Sequence, residues 1–131
     1  MYEISILISS RNRAHVLEPC LASILAQSYT DFEVIVLDDA SENPMAYQAI
    51  LAKFRNPRIH LMRSERPLGV SGSRNLLMQN ADGDIFFVID DDAYVEHESS
   101  LSRLVDIFKE KQDVGIVACQ VQNHGDVERL Y

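Results

Sequence analysis

The feature that most constrains the fold of this chain is a repeated change of hydrophobic period, from short apolar runs to faces spaced at three and four residues, and back. Residues 3–9, Glu-Ile-Ser-Ile-Leu-Ile-Ser, read as a first strand. Val16, Leu17, Cys20, Leu21, Ile24 and Leu25 then recur at helical spacing, with Pro19 in the first turn, where its missing N–H costs nothing. Phe32 to Leu37 gives a second strand that ends at Asp38-Asp39. Tyr47, Ile50, Leu51 and Phe54 form the next helical face, behind the turn-and-cap residues Ser41 to Pro44. Ile59 to Met62 is a short third strand. Gly69 to Ser73 reads as a tight loop, with Ser71 or Ser73 as N-cap of a helix over Arg74 to Asn80. After the Asp82-Gly83 turn, Ile85 to Ile89 is the most apolar strand, expected at the centre of the sheet, and it runs into Asp90-Asp91-Asp92. Leu101, Leu104, Val105 and Phe108 mark a last helix, and Val114 to Ala118 a fifth strand.

Alternating strands and helices imply parallel βαβ units, because parallel neighbours need a crossover and a helix supplies it. The expected fold is therefore α/β and Rossmann-like, a mostly parallel sheet flanked by helices, in one domain over residues 1–131. In such open sheets, ligands bind beyond the carboxyl ends of the strands. The polar residues of interest sit at those ends: Ser9, Ser10, Arg11 and Asn12 after the first strand, Asp38 and Asp39 after the second, and the three aspartates after the fourth.

Three consecutive aspartates raise one another's pKa and call for compensation. Mg²⁺ or Mn²⁺ provides it, taking one or two carboxylates and leaving its other positions to water and substrate phosphates. Asp90 and Asp92, two apart, form an Asp-x-Asp pair, the alternative being a solvated acidic turn. Asp39 is either part of a cap, with Ser41, or a carboxylate accepting a hydrogen bond from a base N–H. The segment Gly69 to Asn75 lacks the lysine of the P-loop and the glycine spacing of the dinucleotide fingerprint. Its helix N-terminus can face an anion, with Arg74 adding charge to a diphosphate. Asp82 and Asp84 make a turn; His97, five residues after Asp92, reads as a surface residue, the alternative being an approach to the metal, and His15, His60 and His124 show no ligand spacing.

Composition narrows the classes. The net charge of −8 would repel a phosphate backbone, which argues against nucleic-acid binding. Cys20 and Cys119 show no metal or redox spacing and are expected as buried free thiols, which favours a reducing compartment. With no apolar stretch of spanning length, the expected location is the cytoplasm, with a membrane-peripheral placement as the alternative.

The chain resembles family 2 glycosyltransferases of the GT-A fold. Four pieces carry the resemblance in the family's order: Ile4 to Asn12; Leu21 to Tyr29 with Asp31 to Ser41; Gly69 to Asn75; and Ala81 to Asp84 through Asp90-Asp91-Asp92. The resemblance implies a site for a nucleotide-diphosphate sugar, most often a UDP-sugar, with Mn²⁺ or Mg²⁺ at the diphosphate. Ser9, Ser10 and Arg11 would line the base and Asp39 would bond the uracil ring. Asp91 would lie near the ribose or the metal, Asp92 would be the direct metal ligand, and Asp90 would open the Asp-x-Asp motif. Gly69 and Arg74 would belong to the nucleotide-binding set. The acceptor, saccharide or lipid-linked, and the general base of an inverting transfer belong to a half expected beyond Tyr131, so the chain reads as truncated at its C-terminus. An open sheet edge would favour self-association into a homo-oligomer. Two other classes compete: a non-catalytic nucleotide-sugar-binding or assembly module, and a phosphoacceptor domain. The latter normally carries its acidic pair after the first strand, where this chain has Ser9-Ser10.

Overall fold

A computed structural model describes residues 1–122. Four parallel strands, β1 (Ile4–Ser10), β2 (Phe32–Asp38), β3 (Ile59–Arg63) and β4 (Ile85–Val88), form one sheet in the order β3-β2-β1-β4. Four α-helices connect and flank them: α1 (Leu17–Leu25), α2 (Pro44–Phe54), α3 (Gly69–Gln79) and α4 (Ser100–Glu110).

The alternation of side chains along a strand divides the core in two. Ile4, Ile6 and Ile8 of β1 and Phe32, Val34 and Val36 of β2 face Leu17, Cys20, Leu21 and Ile24 of α1, Tyr47 of α2, and Leu101 and Val105 of α4. Leu7, Ile35 and Leu37 point the other way and meet Leu77 of α3. Burying each such side chain contributes roughly 1.5–3 kcal/mol relative to leaving it exposed. β1 and β2 are therefore the central pair and are buried almost throughout, as their apolar runs require.

The α3 face of the central pair also holds a polar network. Ser5 donates to Glu33 Oε1 at 2.6 Å, and the same oxygen accepts the Asp82 N–H at 2.9 Å. Gly83 N–H donates to Ser5 Oγ at 2.8 Å. A Cβ on Gly83 would lie 2.5 Å from Ser5 N and 2.7 Å from the Ile4 carbonyl carbon, so the Asp82-Gly83-Asp84 turn needs glycine because it is pressed against the β1 backbone.

β4 is an edge strand of the described sheet rather than its centre, and Phe86 and Val88 are exposed on it. Val114 to Ala118 forms no strand among the described residues; its Val-Gly-Ile-Val-Ala run has strand composition but pairs with nothing. The helix expected from Arg74 begins five residues earlier, at Gly69, for a reason that lies in the site. The thiols also divide: Cys20 is buried and Cys119 is exposed. Among the described residues no helix is long and apolar enough to cross a membrane. His124 and the polar tail after residue 122 lie outside the described residues.

Candidate functional site

The carboxyl ends of β1, β2 and β4 open into a cleft of about 480 Å³. Its walls include Ser9 and Ser10 at the end of β1, Arg11 and Arg13 after it, Asp39 after β2, Gly69, Val70 and Ser73 at the start of α3, and Asp90, Asp91 and Asp92 after β4. Every nucleotide- or metal-binding residue expected from sequence borders this cleft except Arg74, which reaches it indirectly through an ion pair to Asp90 at 3.4 Å.

Two tight backbone conformations shape the rim. Asn12 has φ 54° and Ala40 φ 53°, both left-handed and uncommon for residues with a Cβ. Asn12 is held there by accepting the Glu42 N–H on Oδ1 and donating its own N–H to Ser41 Oγ, each at 2.8–2.9 Å. The loops after β1 and β2 thus lock onto each other. Asp38 points away from the cleft, paired with Arg63 and accepting the Ser41 N–H.

Asp39 explains the early start of α3. Its Oδ1 accepts the Leu68 N–H and the Ser64 hydroxyl at 2.8 Å, and its Oδ2 accepts the Gly69 N–H at 3.0 Å. The carboxylate from β2 therefore caps a helix thirty residues downstream, satisfying amides that would otherwise be orphaned and placing its charge at the positive helix end. Neither Ser71 nor Ser73 caps α3, whose N-cap residue is Leu68, and Ser41 does not cap α2. Burial pushes the Asp39 pKa up, but the Leu68 and Gly69 amides and the Ser64 and Ser73 hydroxyls outweigh it and hold the group below its ordinary value. Gly69 reaches Asp39 with φ +72°, and a Cβ there would meet nothing, so the dihedral rather than space calls for glycine. Because Asp39 occupies these first amides, the α3 N-terminus is not open for an anion at that point. Ser73 Oγ, buried on the cleft wall, has no hydrogen bond of proper geometry.

Each member of the acidic triplet has its own partner. The Asp91 side chain is buried and accepts the Ser10 hydroxyl at 2.7 Å. Asp90 and Asp92 project outward, with side chains 73% and 54% exposed, and both border the cleft. Asp92 meets Arg13 at 2.6 Å, and the same guanidinium lies 3.5 Å from Asp91. The hydrogen bond from Arg13, above all, keeps the Asp92 pKa low. The like-charge cost of the triplet is thus offset in this structure by two arginines and a serine. Among the described residues no three His, Cys, Asp or Glu side chains converge as a metal cage. Asp90 and Asp92 nevertheless offer outward carboxylate oxygens at the cleft mouth.

Arg13 is not singled out by sequence, and Val70 and Ser73 enter there only within the Gly69 to Asn75 segment, Ser73 as a candidate cap. In Ser10-Arg11-Asn12-Arg13, nothing local shows that the second arginine, brought round by the left-handed Asn12, is the one that meets the aspartates.

Comparisons with known proteins place this geometry. The family model for glycosyl transferase family 2 matches residues 5–131. A relative from Escherichia coli, UDP-Glc:alpha-D-GlcNAc-diphosphoundecaprenol beta-1,3-glucosyltransferase WfgD, is 31% identical over 91 residues, covering 70% of this chain and 35% of its own length. Hyaluronan synthase from Streptococcus pyogenes is 29% identical over 117 residues, covering 84% of this chain and 27% of its own. In fold, the chain is similar to S. aureus TarS in complex with UDP-GlcNAc, with TM-score 0.75 and 24% identity over 86% of this chain and 32% of that one. It is similar too to the mannosyltransferase PcManGT from Pyrobaculum calidifontis in complex with GDP-Man and Mn²⁺, with TM-score 0.74 and 24% identity over 81% of this chain and 32% of that one. The chain spans about a third or less of the relatives and structures it matches here. Its parallel sheet is that of the GT-A glycosyltransferases, and with the family model matched over nearly its full length the chain belongs to glycosyl transferase family 2.

Proposed function

We propose that this chain is the donor-binding part of an inverting glycosyltransferase that takes a nucleotide-diphosphate sugar, a UDP-sugar in the first instance, with Mn²⁺ or Mg²⁺. The observation that carries the reading is one cleft in which Ser9, Ser10, Arg11, Asp39, Gly69 and Asp90 to Asp92 meet from three strand ends and the start of α3. The names of similar proteins support it: WfgD pairs UDP-Glc with a lipid-linked acceptor, TarS was solved with UDP-GlcNAc, and PcManGT with GDP-Man and Mn²⁺.

The residues fit such a ligand. An ionised carboxylate has about four acceptor positions. Asp39 accepts three well-formed hydrogen bonds internally, and a base N–H would compete with the nearby Ser73 hydroxyl for the remaining position. Ser9, Ser10 and Arg11 border the same cleft and would enclose the base. Asp92 and Asp90 would hold the cation; two carboxylates are what Mn²⁺ or Mg²⁺ takes when phosphate and water supply the rest. When bound, the ion supplies Lewis-acid stabilisation of the leaving diphosphate. Arg13 would then leave Asp92, and it and Arg74, already paired with the two carboxylates, would be available to a diphosphate seated there. The base that deprotonates the saccharide or lipid-linked acceptor is assigned to a part of the protein beyond Tyr131.

Calorimetric titration with UDP, once with Mn²⁺ and once with EDTA, and again with GDP, tests this reading. Metal-dependent binding that prefers UDP supports it. A folded chain that binds neither nucleotide overturns it.

A further inference from the structure

We propose that Tyr47 is a positioning residue of this cleft, acting through a one-way chain of hydroxyl groups that ends on Asp91; the inference rests on the nucleotide reading above. Tyr47 lies on α2, is 1% exposed, and buries its ring in the main core. It does not line the cleft. Its phenolic oxygen nevertheless has three polar neighbours: the Arg13 N–H at 3.2 Å, Ser10 Oγ at 2.9 Å and Ser41 Oγ at 3.3 Å.

Proton bookkeeping fixes the sense of each bond. A hydroxyl has one proton to donate and two lone pairs. Ser10 gives its proton to Asp91 Oδ2, so between Tyr47 and Ser10 the tyrosine must donate. Having donated there, Tyr47 can only accept from Ser41 and from the Arg13 amide. Ser41 accepts the Asn12 N–H at 2.8 Å on a lone pair and keeps its own proton for Tyr47. The order is Asn12 N–H, Ser41, Tyr47, Ser10, Asp91, with one allowed direction at every step. Such chains strengthen along their length in a low-dielectric interior.

The consequence is positional. One buried oxygen ties the loop after β1, the loop after β2 and, through Ser10, the turn after β4, the three segments that supply most of the cleft. Asp91 is oriented from the interior, and Asp90 and Asp92 on the same turn are set with it. Tyr47→Phe keeps the ring and deletes only the oxygen. It leaves the Ser41 hydroxyl and the Arg13 amide without their acceptor and Ser10 without its donor.

The test is UDP titration in the presence of Mn²⁺ for the wild type, Tyr47→Phe, Ser10→Ala and the double variant, with Ser41→Ala as an upstream variant that leaves the ring untouched. Tyr47→Phe is expected to weaken binding by about 10-fold. The double variant should be no more than about twofold weaker than the worse single one, because both break the same chain. Ser41→Ala should lower affinity in the same direction by less. A tyrosine that merely supports the fold would lower the melting temperature and leave the affinity of the folded protein unchanged. Wild-type affinity in both Tyr47→Phe and Ser41→Ala, or losses that add in the double variant, would overturn the proposal while leaving the nucleotide reading intact. A wild-type chain that binds no UDP overturns that reading and the role of Tyr47 together.

Discussion

Replacing Gly83 by alanine should destabilise the fold without touching a single residue of the cleft. The added Cβ would sit 2.5 Å from Ser5 N and 2.7 Å from the Ile4 carbonyl carbon, both backbone atoms of a strand paired on each side. Neither can swing away as a side chain could. The turn must retreat by at least 0.5 Å to bring the closest contact to even 3.0 Å. That movement stretches the Gly83 bond to Ser5 and the Asp82 bond to buried Glu33. Overpacking typically costs about 1–3 kcal/mol, and a weakened buried hydrogen bond about 1 kcal/mol more. Their sum is about 2–4 kcal/mol. With an unfolding entropy of about 2 cal/mol/K per residue, a chain of this length loses about 10 °C of Tm for 3 kcal/mol. Gly69→Ala is the matched control: its Cβ meets nothing, so only the strain of φ +72° remains, about 1 kcal/mol or 4 °C. Thermal unfolding followed by circular dichroism measures both. A Gly83→Ala shift within 2 °C of wild type, or one no larger than that of Gly69→Ala, would refute the close-approach reasoning.

Other outcomes follow from the electrostatics. The folded pKa of Asp39 lies below its ordinary value of 3.8, so in mild acid the unfolded chain binds the proton more readily. The resulting stability is fully present above the ordinary carboxylate range and is lost as pH falls through the folded pKa. Melting temperatures of the wild type should therefore drop below pH 4 more steeply than those of Asp39→Asn; parallel acid limbs would contradict the capping role. Arg13→Ala removes the cation competing for Asp92, and since exposed ion pairs contribute little in water, nucleotide-free Mn²⁺ affinity should rise by no more than about 5-fold. Weaker Mn²⁺ binding in that variant would show that Arg13 assists the ion instead. Burial, followed by the charges of Asp91, Asp92 and Asp90, pushes the Cys20 thiol up to about 12. A thiol reagent at pH 8 should modify exposed Cys119 promptly and Cys20 only on unfolding; two fast thiols per native chain would be inconsistent with that burial.

Sequence was most informative where one local rule decides the outcome. β1 and β2 are continuous apolar runs because both their faces are covered, and the polar residues that follow them fall at strand ends whatever the details of the loops. The cleft was legible for the same reason, since parallel topology brings those ends together. What was missed depends on partners distant in sequence. Glycine and serine in Gly69 to Ser73 have poor helix propensity and read as loop, yet helix forms there because Asp39 supplies the cap from β2. Tyr47 fits a helical apolar stripe, and periodicity cannot reveal that its oxygen serves the site. Val114 to Ala118 has the composition of a strand, but a strand exists only where an edge accepts it, and composition does not say whether one does.

In the proposed function, the triplet after β4 and the loop after β1 together hold a metal-bound nucleotide. Because Mn²⁺ is paramagnetic, amide NMR spectra of the ¹⁵N-labelled chain with saturating UDP and a trace of Mn²⁺ measure this directly. The account predicts selective broadening at Asp90, Asp91 and Asp92 and at Ser10 to Arg13, with β3 and α4 unaffected. Broadening centred on any other acidic group, or none at all with UDP bound, would contradict it.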